Sequence, residues 1–128
     1  MTDTTSPALR TALAYHRAWT GRDLDTAMTH VADDVVCDSP AGRLEGAQEY
    51  RGFMAPFLDI FTSATVLAAF GDETTALIMY DTETTVVKSA PAAECVTVVN
   101  GKITRSCFIF DRAPFDAARD AAAAARRT

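Results

Sequence analysis

Residues 32–46 read ADDVVCDSPAGRLEG, an apolar-leaning run that ends in Asp38 and is stopped by Pro40 and Gly42. Side chains alternate along a strand, so Val35, Cys37 and Ser39 share one face, while Val36 and Asp38 share the other. The first set is the less polar and is read as the inward face. Asp38 then points outward as a solvated, turn-stabilising carboxylate, because Asp before a turn bonds its local backbone. The stretch is a strand entering a turn bracketed by Gly42 and Gly46.

Helical signals lie on both sides of this strand. Upstream, Ser6-Pro7 reads as an N-cap followed by proline at the first helical position. Ala8, Ala12, Tyr15 and Trp19 then form one stripe, with His16 rotated off it toward the surface or rim. Gly21 ends that helix, and Asp23 caps a short second one over LDTAMTHV. Downstream, AQEYRGFMAPFLDIF (residues 47–61) places Tyr50, Phe53, Met54, Phe57, Leu58 and Phe61 at helical spacing, with a bend expected at Pro56.

The second half reads as strands: SATVLAAF, TTALIMYDTETT, ECVTVV and ITRSCFIF. The last two are joined by Asn100-Gly101, the strongest short hairpin signal, since both central residues of the tight turn need positive φ. A two-residue loop pairs Cys95 with Ser106, Thr97 with Thr104 and Ala93 with Phe108, which keeps Cys95 away from Cys107. Helices followed by an antiparallel sheet make an α+β protein. Three helices on one face of a curved antiparallel sheet form a cone, in the manner of a cystatin-like roll. The reading is one domain over residues 1–128, with residues 1–6 flexible and a helix-prone tail from about residue 113 to 128.

Composition excludes several roles. The net charge is −5 and no basic cluster precedes the terminal ARRT, which argues against nucleic acid as a partner. No apolar run suggests a membrane span or an export signal. Cys37, Cys95 and Cys107 stand singly in strand-like runs, so reduced thiols and a cytoplasmic location are expected. His16 and His30 lie in separate segments, and no metal site or other cofactor is anticipated.

Two stretches, YHRAWTGRDLDTAMTHVADDVVCDSPAG (residues 15–42) and GKITRSCFIFDRAPF (residues 101–115), resemble the nuclear transport factor 2-like superfamily, especially its SnoaL-like and ketosteroid-isomerase-like branches. The resemblance covers nearly the whole chain. It implies a pocket between the helices and the concave sheet face, and a homodimer formed through the outer sheet face. It does not choose among isomerases, cyclases, epoxide hydrolases and noncatalytic binders.

Position by position, the resemblance places Ser39 where ketosteroid isomerases keep a general base, and Cys37 with Ser39 where epoxide hydrolases keep a tyrosine and an asparagine. Phe108 stands at a position those hydrolases and the cyclases give to an aspartate. Asp81 resembles the hydrolase aspartate, with Met79 in place of its arginine, and Leu77, Met79 and Asp81 are read as one inward face. Tyr15 falls where the isomerases keep an enolate-stabilising tyrosine. Asp81 as acid/base and Tyr15 as hydrogen-bond donor are therefore the catalytic candidates, with Trp19, Cys37, Ser39, Phe53, Phe57, Met79 and Phe108 lining a mainly apolar pocket.

Two functions are compatible with this reading. One is a binder or enzyme for a hydrophobic small molecule, working by proton transfer beside a carbonyl or by epoxide hydrolysis. The other is a noncatalytic dimeric domain with a vestigial pocket.

Overall fold

Pro7 opens helix α1 (Pro7–Thr20), and the computed structural model describes residues 6–126. Of the N-terminal stretch expected to be flexible, only Ser6 lies within the described residues. Proline suits this start because the missing N–H is one that no helical carbonyl would have accepted. One face of α1 buries Ala8, Leu9, Ala12, Tyr15, His16 and Trp19. His16 thus departs from the expected rim position. Its ring packs 4.8 Å from Tyr80 and 5.1 Å from Trp19, because the helix presents that side to the sheet.

Asp23 caps helix α2 (Leu24–Met28) by accepting from the Thr26 backbone N–H at 3.1 Å. The chain is already extended at Val31, so this helix is shorter than its apolar spacing suggested. Strand β1 (Val31–Ser39) turns at Pro40 into β2 (Gly42–Glu45), and helix α3 (Ala47–Ile60) follows, continuing through Pro56. Arg22 ties the end of α1 to the end of α3. It donates to the Leu58 carbonyl at 2.8 Å and to the Phe61 carbonyl, and its guanidinium lies 5.8 Å from the Phe61 ring centroid.

Four long strands complete the sheet: β3 (Phe61–Gly71), β4 (Thr75–Thr84), β5 (Ala90–Val99) and β6 (Lys102–Phe110). The order is β2-β1-β6-β5-β4-β3. β1 lies parallel to β6, and the other neighbouring pairs are antiparallel, so the sheet is mixed rather than wholly antiparallel. The two strands of the parallel pair are far apart in sequence, and α3 packs against β1 while α1 contacts β6. Helix α4 (Ala113–Arg126) buries no residue, and its first N–H, that of Ala113, donates to Asp111 Oδ1 at 3.0 Å.

Asn100 and Gly101 take φ of 53° and 75°, the positive values the tight turn requires. The pairing beyond that turn differs from expectation. Val98 faces Ile103, but Thr97 faces Arg105, so Thr104 is an extra residue bulged from β6. The bulge moves every later pair by one. Glu94, not Ala93, faces Phe108, and Cys95 lies directly opposite Cys107. Both of these cysteines are free and exposed, on the outer face of the sheet.

The core sits between α1, α3 and the concave face, built from Trp19, Tyr15, Tyr50, Phe61, Leu9, Ile103 and Val35. His16 belongs to it at 4% exposure, and burial, with Arg17 adding to it, lowers its pKa from 6.5 to about 4. The folded state therefore resists protonation that the unfolded chain accepts. Its contribution to stability is complete above pH 6.5 and is lost as the pH falls toward 4. Relative to His16→Phe, which keeps a ring in place, the wild-type protein should lose on the order of 3 kcal/mol of unfolding free energy between pH 7 and 4. Urea denaturation across that range measures it, and parallel curves for the two proteins would refute a buried neutral imidazole.

Candidate functional site

β5 alternates strictly, with Ala90, Glu94, Val96 and Val98 buried on the concave face and Ala92 half-buried there. The parity that buries the two valines carries one carboxylate into the core. Glu94 is 7% exposed, and no cation approaches it among the described residues. It is held by hydroxyls instead. Ser106 of β6 donates to Glu94 Oε2 at 2.6 Å, and Tyr50 of α3 donates to the same oxygen at 3.0 Å. Behind Tyr50, its phenolic oxygen meets that of Tyr15 of α1 at 2.5 Å. Since the Tyr50 proton is committed to Glu94, Tyr15 is the donor in that second bond. The chain of hydroxyls thus runs from α1 through α3 to the acid on β5, with β6 closing it from the side.

Burial is the dominant influence on this carboxyl and raises its pKa above the usual carboxylate range, against the opposing effect of the Ser106 and Tyr50 hydrogen bonds. Burial and then the nearby Glu94 also push Tyr15, Tyr50 and Tyr80 upward, so all three phenols stay protonated donors. Both hydroxyls reach Oε2, which leaves Oε1 as the oxygen free to exchange a proton with a bound molecule.

Glu94 borders a cavity of about 220 Å³. Trp19, Phe53, Phe57, Tyr80 and Phe108 give it aromatic walls, with Tyr50 and Glu94 at its buried end. Phe53 packs 5.3 Å from Phe108, and Trp19 packs 6.1 Å from Phe57. Among the described residues no hydrogen bond engages the Tyr80 hydroxyl, and this phenol lies close enough to Glu94 for the carboxylate to raise its pKa. The cavity exceeds the roughly 150 Å³ that suffices for benzene in an apolar core, so a ligand of one or two rings fits.

The sequence-derived candidates fall into three groups. Trp19, Phe53, Phe57 and Phe108 line the cavity. Tyr15 and Cys37 are buried but stand behind its wall: Tyr15 reaches it only through Tyr50, and Cys37 pairs in register with Ser106, its thiol raised to about 12, mainly by burial. Ser39, Met79 and Asp81 lie elsewhere.

Ser39 spends its hydroxyl on the turn, donating to the Gly42 carbonyl at 2.8 Å. Met79 and Asp81 are on the outer face, Met79 being 44% exposed and Asp81 accepting from the Ser89 hydroxyl at 2.9 Å. The inward set on β4 is Ala76, Ile78, Tyr80, Thr82 and Thr84, opposite to the face chosen from the sequence. Both faces of this strand are apolar enough that alternation alone does not select one. Asp38 does face away from Cys37, and it pairs with Arg105 at 3.2 Å.

Tyr50, Tyr80, Glu94 and Ser106 were the residues missed. The available signal for Glu94 was a single carboxylate in phase with Val96 and Val98.

Glu94→Gln tests the electrostatics directly. A carboxyl whose folded pKa is raised contributes most below its unfolded value and loses that contribution as the pH rises through the folded one. The stability of wild type minus that of Glu94→Gln should therefore fall as the pH rises above the unfolded carboxyl value of 4.5 in denaturant titrations. A difference independent of pH would contradict a desolvated acid.

Residues 12–106 match the family model of the SnoaL-like domain. A solved protein from Kribbella flavida DSM 17836 is 63% identical and superposes with a TM-score of 0.88, over 90% of this chain and 95% of that one. An NTF2-like protein from Cytophaga hutchinsonii ATCC 33406 is 20% identical, with a TM-score of 0.71 over 83% of this chain and 91% of that one. An LEH-like epoxide hydrolase from M. tuberculosis is 17% identical, with a TM-score of 0.70 over 95% and 97% of the two chains. The last two share the fold alone. No curated protein sequence matches the chain. No helix among the described residues is long and apolar enough to cross a membrane. With its mixed six-stranded sheet, its helices on the concave face and a family match over most of its length, the chain belongs to the SnoaL-like family of the nuclear transport factor 2-like fold.

Proposed function

We propose that the protein is a cytoplasmic, SnoaL-like enzyme that moves a proton beside the carbonyl of a small ring-containing compound, with Glu94 as acid and base. The supporting observation is a buried carboxyl at the inner end of an aromatic cavity, held on one oxygen by Tyr50 and Ser106. A carboxyl whose pKa burial raises is a stronger base than an exposed one and can both take and return a proton, which is the requirement for general acid–base work.

In the proposed reaction a substrate ring lies between Phe53, Phe57 and Phe108. Glu94 Oε1 takes a proton from the carbon next to the carbonyl, and the electron pair left behind passes into the carbonyl oxygen as an enolate. Tyr80, whose hydroxyl has no other engagement among the described residues, donates to that oxygen as its charge grows. The proton returns from Oε1 to carbon. Tyr50, supported by Tyr15, keeps the carboxyl oriented and stabilises its charged form. Proton transfer suits this site better than epoxide hydrolysis. The positions that resemble the hydrolase acid and its neighbour, Asp81 and Met79, face outward.

Deuterium uptake from D₂O at the α-carbon of cyclic and aryl ketones, followed by proton NMR, tests the assignment. The wild-type protein should exchange at least one such ketone faster than buffer. Glu94→Gln should slow that exchange about 100-fold or more, and Asp81→Asn should leave it unchanged. Equal exchange by wild type and Glu94→Gln would remove the acid from the mechanism.

A second surface supports a homodimer. On the outer face, Phe70, Leu77, Cys95 and Cys107 form one cross-strand row, and Ala68, Met79, Ala93 and Ile109 form the next. Phe70 and Ile109 are 67% and 63% exposed. A two-fold axis in the plane of contact would lay these apolar rows of one copy on the same rows of the other. Met79→Lys places a charge at its centre. Sedimentation velocity should show a dimer for wild type and a monomer for this variant, and a monomeric wild type would dispose of the proposal.

A further inference from the structure

The cavity has two chemically different ends. Its inner end carries a carboxyl, two phenols and no cation. Its outer end is formed by Ala41 and by the start of α4, which contributes Arg112, Phe115, Asp116 and Arg119. The side chains of Arg112, Asp116 and Arg119 are 46%, 42% and 69% exposed, so they mark where the cavity meets solvent.

Arg112 spans this mouth. It donates to the Pro40 carbonyl at 3.2 Å, across from its own helix, and its other nitrogen lies 3.8 Å from Asp116 Oδ1. Arg119 donates to the same Asp116 oxygen at 3.2 Å. Among the side chains that line the rim, two guanidinium groups share one carboxylate, an excess of one positive charge; Asp111 and Asp120, beside Arg112 and Arg119 in sequence, do not line it. Such an excess in the lining attracts anions to that opening. The guanidinium fork suits a planar oxyanion, and a single excess charge matches a monoanion.

We infer that the ligand is an amphipathic carboxylate, with its ring inserted among Phe53, Phe57 and Phe108 and its carboxylate at Arg112 and Arg119. This rests on the assignment of the same cavity as the substrate site. The buried Glu94 reinforces the orientation, because a carboxylate entering first would meet another carboxyl in an apolar chamber. The ring and its carbonyl enter, and the acid group stays in the wet mouth. The two ends of the cavity thus divide the work: the inner acid meets the reactive carbonyl, and the outer arginines select the charge and fix the direction of entry.

Titration calorimetry with 4-acetylbenzoate and 4-acetylbenzamide, which differ in charge and share ring and ketone, decides the point. The carboxylate should bind roughly tenfold more tightly than the amide in low salt, and the preference should shrink as salt is raised. Arg112→Gln/Arg119→Gln should abolish the preference, the carboxylate then binding no more tightly than the amide, and α4, which buries no residue, should tolerate both changes. Equal binding of the two probes by wild type, binding of neither, or a preference that survives the double variant would overturn the inference. Glu94→Gln should keep the preference while losing deuterium exchange, so failure of the acid and failure of the carboxylate site are separate results.

Discussion

The rest of the site depends on one constraint: a carboxyl group lies buried at the inner end of the cavity, and no cation among the described residues pairs with it. Burying an ionisable group without partners costs several kcal/mol, and a protein avoids that cost by hydrogen bonding or by keeping the group neutral. Here Ser106 and Tyr50 satisfy Oε2, while burial raises the pKa of the group and so favours its neutral form. Donors to the two-hydroxyl clamp come from α3 and β6, and Tyr15 extends it to α1, so the acid is held only when helices and sheet have assembled. The site is a product of tertiary structure in the strict sense that no single element contains it.

The same geometry accounts for the aromatic composition of the cavity. Trp19 touches Phe57, Phe61 and Tyr80 through edge-on contacts with centroids 5.3–6.1 Å apart, the preferred arrangement for aromatic pairs. Large rigid rings leave gaps of fixed shape that small aliphatic side chains would fill by rearrangement. The concave sheet supplies curvature, and Ala90 and Ala92 on β5 keep the floor low beneath the rings. An apolar chamber with a few oriented polar groups is what small-molecule recognition requires, and the family supplies the fold in which it sits.

A one-residue bulge separates the pairing expected from the sequence from the pairing present. Without Thr104 as an extra residue, Ala93 would face Phe108 and Glu94 would have a different neighbour. With it, Glu94 and Ser106 come within 2.6 Å, and Cys95 and Cys107 meet on the opposite face. Bulges carry little signature in sequence because they depend on how two strands twist against a third layer. Here β6 must satisfy β5 on one side and β1 on the other, and the β1 pairing is itself irregular between Val31 and Val36.

The sequence by itself determined most of the order of elements and several of their ends, although it read β2 as a turn and carried α2 past Met28. Pro7, Gly21, Asp23, Pro40 and Asn100-Gly101 act through local backbone chemistry, which operates wherever the residues occur. It also placed Trp19, Phe53 and Phe57 through helical spacing, and Phe108 through the family resemblance of its strand position. Only the tertiary structure decided that Glu94 is the buried acid and that Asp81 stands outside. A strand offers two faces, and on β4 both are apolar: one packs on α1, and the other carries Leu77 and Met79 in an exposed row. Which face turns inward is set by the layers packed against the strand, a long-range fact that a period of two cannot encode.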